Sequence, residues 1–391
     1  MAKKRSSIPT VREIAAHCGV SNATVSRVLN GNYSNGFSVR EEVRQLITQM
    51  AEELGYRPNL AAKNLVKRQT KIIGIIGYNT VFGWPTNIYQ LTTEEAVRLL
   101  QAHQFDICAT APNLLRDDTE LPPWRVDGII VTQECSPRTI EEMEKTSLPY
   151  VVINGPCGPR GCSVVPDDIE ATRQAIQYLY GLGHRRIAYA GPTPEHRRHM
   201  SIEERYSTYT AELKRLGLKA IEEGEKPFSN PQDFLARAVL EEKATAILAY
   251  DHVVALKILH DAPVCGIQIP EQVSLMCFND EYLCDIVKPA LTRMGAPSRE
   301  MGKLAAQLLL KQIQQPAEER VGQTIKLRQH LIIRASAIPP NGRKGPEETA
   351  LSEGRVSGYD REVLADKNAE GLSHAINSRE DNRKTGVREE N

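Results

Sequence analysis

The residues best suited to chemistry lie near the N-terminus of this sequence, in the stretch Pro9 to Asn30. The guanidinium of Arg27 could donate to O6 and N7 of guanine, and the amide of Asn22 could pair with N6 and N7 of adenine. Ala23 offers only a methyl group, which suits the methyl of thymine or a steric role. Short polar side chains beside them suit contacts to phosphate oxygens, which fix register rather than base sequence: Ser21, Thr24, Ser26 and Asn30.

Two short helices must position these side chains. Thr10 followed by Glu13, and Ser21 before the second apolar pattern, are helix-start signals, and Gly19 lies where a tight turn needs a residue tolerant of positive φ. Two helices joined by so short a turn form a helix-turn-helix, whose second helix can enter the major groove of DNA. An ordinary helical hairpin has the same spacing, and Ser21 and Asn30 have structural alternatives as a helix cap and a helix end.

Charge is distributed unevenly along the chain. Residues 1–70 contain eleven Lys and Arg against five Glu, a net charge of +6, whereas the whole chain of 391 residues has a formal net charge of zero. A basic end on a mildly acidic body suits phosphate contact at that end alone. The eight cysteines form no CxxC pair and no apolar segment follows the basic N-terminus, so we expect reduced thiols and a cytoplasmic protein without a secretory signal or a membrane span.

The N-terminal motif resembles a known family. The residues Ile14-Ala15, Gly19-Val20-Ser21 and Thr24-Val25-Ser26-Arg27-Val28-Leu29-Asn30 closely resemble the headpiece of the lactose-repressor (LacI/GalR) family of bacterial transcriptional regulators. The resemblance implies a DNA-binding domain at residues 8–58, with its helix-turn-helix at 11–30, and assigns major-groove contacts to Asn22, Ala23 and Arg27. It also implies a hinge helix at 59–70 that places Ala62 and Leu65 in the minor groove. A plain linker is the alternative for that segment.

From residue 71 the sequence alternates between strand and helix patterns. Such alternation predicts an α/β core built on parallel sheets with helices on both faces. The layout resembles the family's core, two doubly wound subdomains of the type I periplasmic-binding-protein kind. By that analogy the core spans 71–338, with one subdomain at 71–165 and 292–320 and the other at 166–291 and 321–338. Residues 339–391 are rich in Gly, Asn, Ser and mixed charge, which predicts a disordered tail.

A ligand cleft is expected between the subdomains, because ligands bind beyond the carboxyl ends of strands in such sheets. The resemblance places effector contacts at five positions, Arg205, Tyr250, Asp251, Asn279 and Asp280. Tyr250 and Asn279 depart from the Asn and Asp that are usual in the family. Asp and Arg suit sugar hydroxyls, and Trp84 could stack on a sugar ring or serve as a packing residue.

Together these features predict a sequence-specific DNA-binding transcriptional regulator. We expect a repressor that binds a near-palindromic double-stranded DNA operator as a homodimer and whose operator affinity is modulated by a small sugar-like effector. The alternatives are a solute-binding protein and a regulator that no longer responds to a sugar. The sequence has no GxGxxG after a strand, no P-loop and no HExxH, so we expect no enzymatic activity, no cofactor and no metal site.

Overall fold

The structure is a computed structural model that describes residues 9–29, 31, 38–56, 69–77, 88–110, 121, 125–132, 135–193, 199–222, 230–279 and 282–340. The predicted hinge helix at 59–70 and the predicted tail at 339–391 lie outside these residues, apart from 69–70 and 339–340. Among the described helices, none has the length and apolar character needed to cross a membrane.

The N-terminal domain contains the predicted helix-turn-helix and a third helix, with bounds α1 Val11–Cys18, α2 Asn22–Leu29 and α3 Glu41–Glu53. Thr10 caps α1, because its side chain accepts the N–H of Glu13 while its own N–H donates to the Glu13 carboxylate at 2.7 Å. Gly19 ends α1 with φ 66°, a conformation that glycine adopts without strain. The resulting turn brings the helices together around a small core of Ile14, Ala15, Val25, Val28, Ile47 and Ala51.

The first sheet of the core contains six parallel strands in the order β11-β5-β4-β3-β1-β2. Their bounds are β1 Ile72–Ile76, β2 Asp106–Thr110, β3 Gly128–Val131, β4 Tyr150–Ile153, β5 Cys162–Pro166 and β11 Gln323–Leu327. The helices of this subdomain are α4 Ile88–Ala102, α5 Pro137–Thr146 and α11 Ser298–Ile313. Because every pair is parallel, the carboxyl ends of these strands lie at one edge of the sheet.

The second sheet has the order β12-β10-β9-β8-β6-β7, and β12 alone runs antiparallel to its neighbour. Its strands are β6 Ile187–Ala190, β7 Ile221–Glu222, β8 Ala246–Ala249, β9 Ser274–Phe278, β10 Thr292–Gly295 and β12 His330–Ile332. Its helices are α6 Asp168–Gly181, α7 Met200–Arg215, α8 Pro231–Leu235, α9 His252–Asp261 and α10 Leu283–Ile286, with a π-helical turn at Ala236–Glu241 after α8. The prediction of a helix-turn-helix domain followed by two doubly wound α/β subdomains is confirmed.

Two crossings between the subdomains lie later in the chain than the sequence predicted. β10 begins at residue 292, where we expected the return to the first subdomain, yet it pairs with β9 in the second sheet. β11 lies within the segment 321–338 that we assigned to the second subdomain, yet it pairs with β5 in the first. Neither strand is an apolar run, because β10 contains Arg293 and β11 contains Lys326, so hydrophobic patterning gave no signal for the sheet to which each belongs.

Candidate nucleic-acid interface and ligand cleft

Helix α2 begins with a side-chain cap. The hydroxyl of Ser21 accepts the N–H of Thr24 at 3.1 Å and lies 2.9 Å from the Thr24 hydroxyl. Two of the residues predicted to contact phosphate are therefore already part of the cap. Ser21 is exposed, so its hydroxyl can still meet solvent or a ligand at the positive end of the helix dipole.

The predicted base-contacting side chains lie together on α2. Asn22, Ala23 and Arg27 are exposed and Ser26 is half-buried, and the 100° helical step places these four residues on one face. Val25 and Val28 are buried in the domain core and fix the rotation of the helix about its axis. Since a side chain projects from a helix at an angle set by its position, burial of the two valines presents Asn22, Ala23 and Arg27 outward.

Several of the predicted site residues lie outside the described residues. They are Asn30 at the end of α2, Ala62 and Leu65 in the predicted hinge, and Trp84 and Asp280 at the predicted cleft. Their assignment to DNA or to a ligand stays a prediction.

Arg205 is the centre of the predicted cleft site. It lies on α7, its side chain is buried, and its guanidinium contacts one oxygen of Asp168, with Nε at 2.9 Å and Nη2 at 2.8 Å. Nη1 donates to the backbone carbonyl of Tyr250, and the Phe278 ring centre lies 4.2 Å from the guanidinium carbon. Burial alone lowers the pKa of Arg205, but Asp168 and the nearby tyrosines outweigh it, so the pKa is raised and the group stays charged.

The other described cleft residues follow the carboxyl ends of strands β8 and β9. The Tyr250 hydroxyl lies 2.8 Å from the hydroxyl of Ser201, and its ring centre lies 4.9 Å from the Arg205 guanidinium. Asp251 is buried and caps α9 by accepting the N–H of Val254 at 2.8 Å. Asn279 adopts φ 75°, which asparagine tolerates better than most residues. The structure therefore brings Arg205 and Tyr250 together and gives Asp251 a structural role as a helix cap.

Sequence reasoning missed four polar residues around this site. The first two are Asp168, which pairs with Arg205, and Gln329, whose amide donates to the same carboxylate oxygen at 2.7 Å. The only available signal for Asp168 was an acidic pair directly after a strand, and that pattern also marks a helix start. Indeed its neighbour Asp167 caps α6 by accepting the N–H of Glu170 at 3.0 Å.

The other two missed residues, His199 and Asn154, join the subdomains. Nε2 of His199, at the start of α7, lies 3.0 Å from the backbone carbonyl of Asn154 after β4, and Nδ1 accepts the N–H of Ser201 at 3.2 Å. Because Nδ1 accepts, Nε2 carries the proton and donates to Asn154. A second contact between the subdomains is an ion pair, in which Nζ of Lys326 on β11 lies 2.7 Å from a carboxylate oxygen of Glu204 on α7. The first turns of α7 thus carry Arg205 and two contacts to the other subdomain.

Two family models match this chain. Residues 10–59 match the model described as bacterial regulatory proteins, lacI family, and residues 176–337 match the periplasmic binding protein-like domain. Among curated proteins, catabolite control protein A of Priestia megaterium is 27% identical over 315 residues, covering 77% of this chain and 92% of that protein. The HTH-type transcriptional repressor PurR of Pasteurella multocida is 28% identical over 347 residues, covering 84% of this chain and 98% of that protein.

Solved structures show the same fold. The lac repressor dimer bound to operator and the anti-inducer ONPF gives a TM-score of 0.64 at 22% identity, covering 84% of this chain and 99% of that one. The complex of the transcriptional regulator CelR with cellobiose gives a TM-score of 0.56 at 23% identity over the same shares. Both comparisons extend through the helix-turn-helix domain and the two subdomains of the core.

Proposed function

Because this chain belongs to the lactose-repressor (LacI/GalR) family of bacterial transcriptional regulators, we propose that it is a sequence-specific transcriptional repressor. In this proposal it binds a near-palindromic operator as a homodimer, and a small molecule in the cleft changes its operator affinity. The observation that carries the proposal is the exposed face of α2, where Asn22, Ala23 and Arg27 lie together on a basic domain.

The α2 face supports direct recognition of bases. An arginine that contacts guanine and an asparagine that contacts adenine discriminate base pairs in the major groove, whereas the Ser21, Thr24 and Ser26 hydroxyls suit phosphate oxygens. Two headpieces related by a two-fold axis require half-sites about one helical turn apart. Ala62 and Leu65 of the hinge, and Asn30 after α2, complete the proposed DNA contacts by the family resemblance alone.

An exposed apolar surface supports the homodimer. Tyr282, Leu283 and Ile286, on and beside α10, are 62%, 40% and 51% exposed. Apolar side chains grouped in this way on a surface typify a protein–protein contact, and a second copy of the same chain is the partner that a palindromic operator requires.

For the effector we propose a sugar or a sugar derivative that contacts Arg205, Tyr250, Asp251 and Asn279, with Asp280 and Trp84 added by the family resemblance. Among the similar solved structures, one is a complex with cellobiose and another contains bound ribose. Hydrogen-bonding side chains beside aromatic rings suit such ligands. A ligand changes operator affinity only if it binds two arrangements of the subdomains with different affinity. The His199–Asn154 and Glu204–Lys326 contacts, which join the subdomains, support such a coupling.

A regulator that does not respond to a sugar is the second candidate. It is favoured by the contacts that Arg205 and Tyr250 already make within the chain, to Asp168 and Ser201. A panel of sugars and sugar phosphates separates the two candidates, with the melting temperature of the protein and release of operator DNA as readouts. The effector proposal requires one compound that changes both. Since the relatives are transcriptional regulators, we propose a cytoplasmic DNA-binding protein without enzymatic activity.

The central experiment replaces Arg27. An operator is first selected from random duplexes with the full-length protein, and its affinity is then measured by fluorescence anisotropy at fixed salt. A bidentate contact to guanine contributes about 1–3 kcal/mol per half-site, so we expect Arg27→Ala to weaken operator binding by about 30-fold or more in a dimer. Binding to a scrambled duplex should fall far less, because phosphate contacts to other residues remain.

Arg44→Ala is the matched control. Arg44 is an exposed arginine of the same domain that forms an ion pair with Glu41 on α3, so the two variants have the same net charge. We expect its operator affinity to stay within about threefold of wild type. If Arg27→Ala and Arg44→Ala lost affinity equally, on operator and scrambled DNA alike, Arg27 would be a phosphate contact and the proposed recognition face would be wrong.

A further inference from the structure

The guanidinium of Arg205 has its hydrogen-bonding capacity largely occupied within the chain. Asp168 accepts from Nε at 2.9 Å and from Nη2 at 2.8 Å, and the Tyr250 carbonyl accepts from Nη1. Gln329 donates to the same Asp168 oxygen at 2.7 Å and holds the carboxylate in place. The ring centres of Phe278 and Tyr250 lie 4.2 Å and 4.9 Å from the guanidinium carbon.

The Asp168 carboxylate offsets the positive charge of Arg205, on which an anionic ligand would depend. Arg205 is 5% exposed and Asp168 2% exposed, so little solvent screens the pair and its two charges cancel locally. Asp251, a second buried carboxylate in the same region, adds negative charge near the Tyr250 hydroxyl. An unpaired arginine is the strongest phosphate and carboxylate receptor among side chains, and here Asp168 already occupies that receptor.

We propose that Asp168 is a specificity-determining residue of the cleft: by pairing with Arg205 it makes the site accept uncharged ligands rich in hydroxyl groups and reject anionic ones. This inference rests on the proposed function, because it concerns the ligand of the same cleft. Gln329 acts as a positioning residue, since its amide fixes the orientation of the Asp168 carboxylate toward Arg205. The charge selectivity of the cleft is thus set by the partner of its arginine.

The proposal predicts a change of selectivity when the carboxylate is neutralised. Asp168→Asn keeps the size of the side chain and leaves the Arg205 charge unpaired. The probe is inorganic phosphate, compared with chloride at equal ionic strength and pH, and the readout is the melting temperature of the full chain. We expect phosphate at tens of millimolar to raise the melting temperature of Asp168→Asn by about 2–4 °C and to leave the wild type unchanged.

Two controls separate charge pairing from a general loss of negative charge. Asp167→Asn removes the neighbouring carboxylate, which caps α6 and lies outside the proposed ligand contacts; asparagine also caps well at such a position, and this variant should not respond to phosphate. Asp168→Asn combined with Arg205→Gln removes both charges of the pair and should also not respond. A merely structural Asp168 would change the melting temperature itself but not its dependence on the anion.

Several results would overturn the proposal. The first is a folded Asp168→Asn variant whose melting temperature phosphate does not raise. The second is a double variant that responds to phosphate as much as Asp168→Asn does. The third is a wild-type protein that phosphate stabilises, or that glucose 6-phosphate stabilises more than glucose does. The wild-type comparison decides the matter if Asp168→Asn does not fold. Operator binding is measured separately on the same proteins. If the protein does not bind an operator, the proposed repressor function fails, but the effect of phosphate on the melting temperature can still be measured, so the two failures are distinguishable.

Discussion

The contact between α4 and α11 depends on a glycine in the second turn of α11. A Cβ atom added to Gly302 would lie 2.0 Å from the carbonyl oxygen and 2.9 Å from the carbonyl carbon of Thr92 in α4. These are backbone atoms, so no rotation of a side chain relieves the overlap and the two helices must separate. Gly302→Ala removes a residue of poor helix propensity, which in an open position stabilises a helix by about 1 kcal/mol. Here overpacking costs about 1–3 kcal/mol or more, and the neighbouring contacts of buried Met301 and Ala305 loosen as the helices part.

We therefore expect Gly302→Ala to be destabilised by about 1–3 kcal/mol, which lowers the melting temperature of an unfolding unit the size of one subdomain by roughly 2–12 °C. Gly181→Ala is the matched control, because Gly181 also lies in a helix, α6, but an added Cβ would meet no atom within 4 Å. That variant should be as stable as wild type or slightly more so. Both are compared by thermal unfolding followed by far-ultraviolet circular dichroism. If Gly302→Ala melted at or above the temperature of Gly181→Ala, the close approach of α4 and α11 would be refuted.

Two further predictions concern a buried histidine and an ion pair between the subdomains. Burial lowers the pKa of His184 to about 4, although the Ile338 carbonyl, 2.9 Å from Nε2, raises it. Its folded pKa lies below the ordinary 6.5, so its contribution of up to about 3 kcal/mol is complete above pH 6.5 and is lost as the pH falls toward 4. Urea midpoints between pH 4.5 and 7.5 should vary less in His184→Gln than in wild type, and equal pH dependence would contradict this. The second prediction concerns the ion pair of Lys326 with Glu204. We expect Lys326→Glu to change the operator affinity of the effector-free protein by about three- to tenfold, and the charge-swapped double variant Lys326→Glu with Glu204→Lys to bind within twofold of wild type. Strictly additive effects of the two substitutions would show that the pair does not couple the subdomains.

Strands made of apolar runs could be predicted from the sequence with accurate bounds. The apolar runs Ile72–Ile76 and Tyr150–Ile153 are predicted as strands, and β1 and β4 have these bounds, because a buried parallel strand is hydrophobic on both faces. β2 also has its predicted bounds, Asp106–Thr110, although its residues are exposed or half-buried. β5 was missed because it follows a Gly- and Pro-rich loop and itself ends at Pro166. β10 was missed because it contains Arg293, which is nevertheless 2% exposed. Asp285 compensates the buried charge, because its carboxylate oxygens lie 2.9 Å and 3.1 Å from the Arg293 guanidinium. No local sequence pattern predicts such a partner.

The DNA-binding face and the ligand cleft differ in how far apart in the sequence their contacting residues lie. On α2 the cap joins Ser21 to Thr24, three residues apart, and the exposed face is set by two valines within the same helix, so the sequence alone specifies its geometry. In the cleft, Arg205 meets Asp168 across 37 residues, and Asp168 meets Gln329 across 161. A family resemblance transfers the position of an arginine but not the identity of its distant partner, and an arginine beside a buried carboxylate presents a different surface to a ligand from an arginine alone. The ligand class of this cleft must therefore be determined from the Asp168–Arg205 pair, and pairs of ligands that share one sugar and differ by one phosphate group are the direct measure of it.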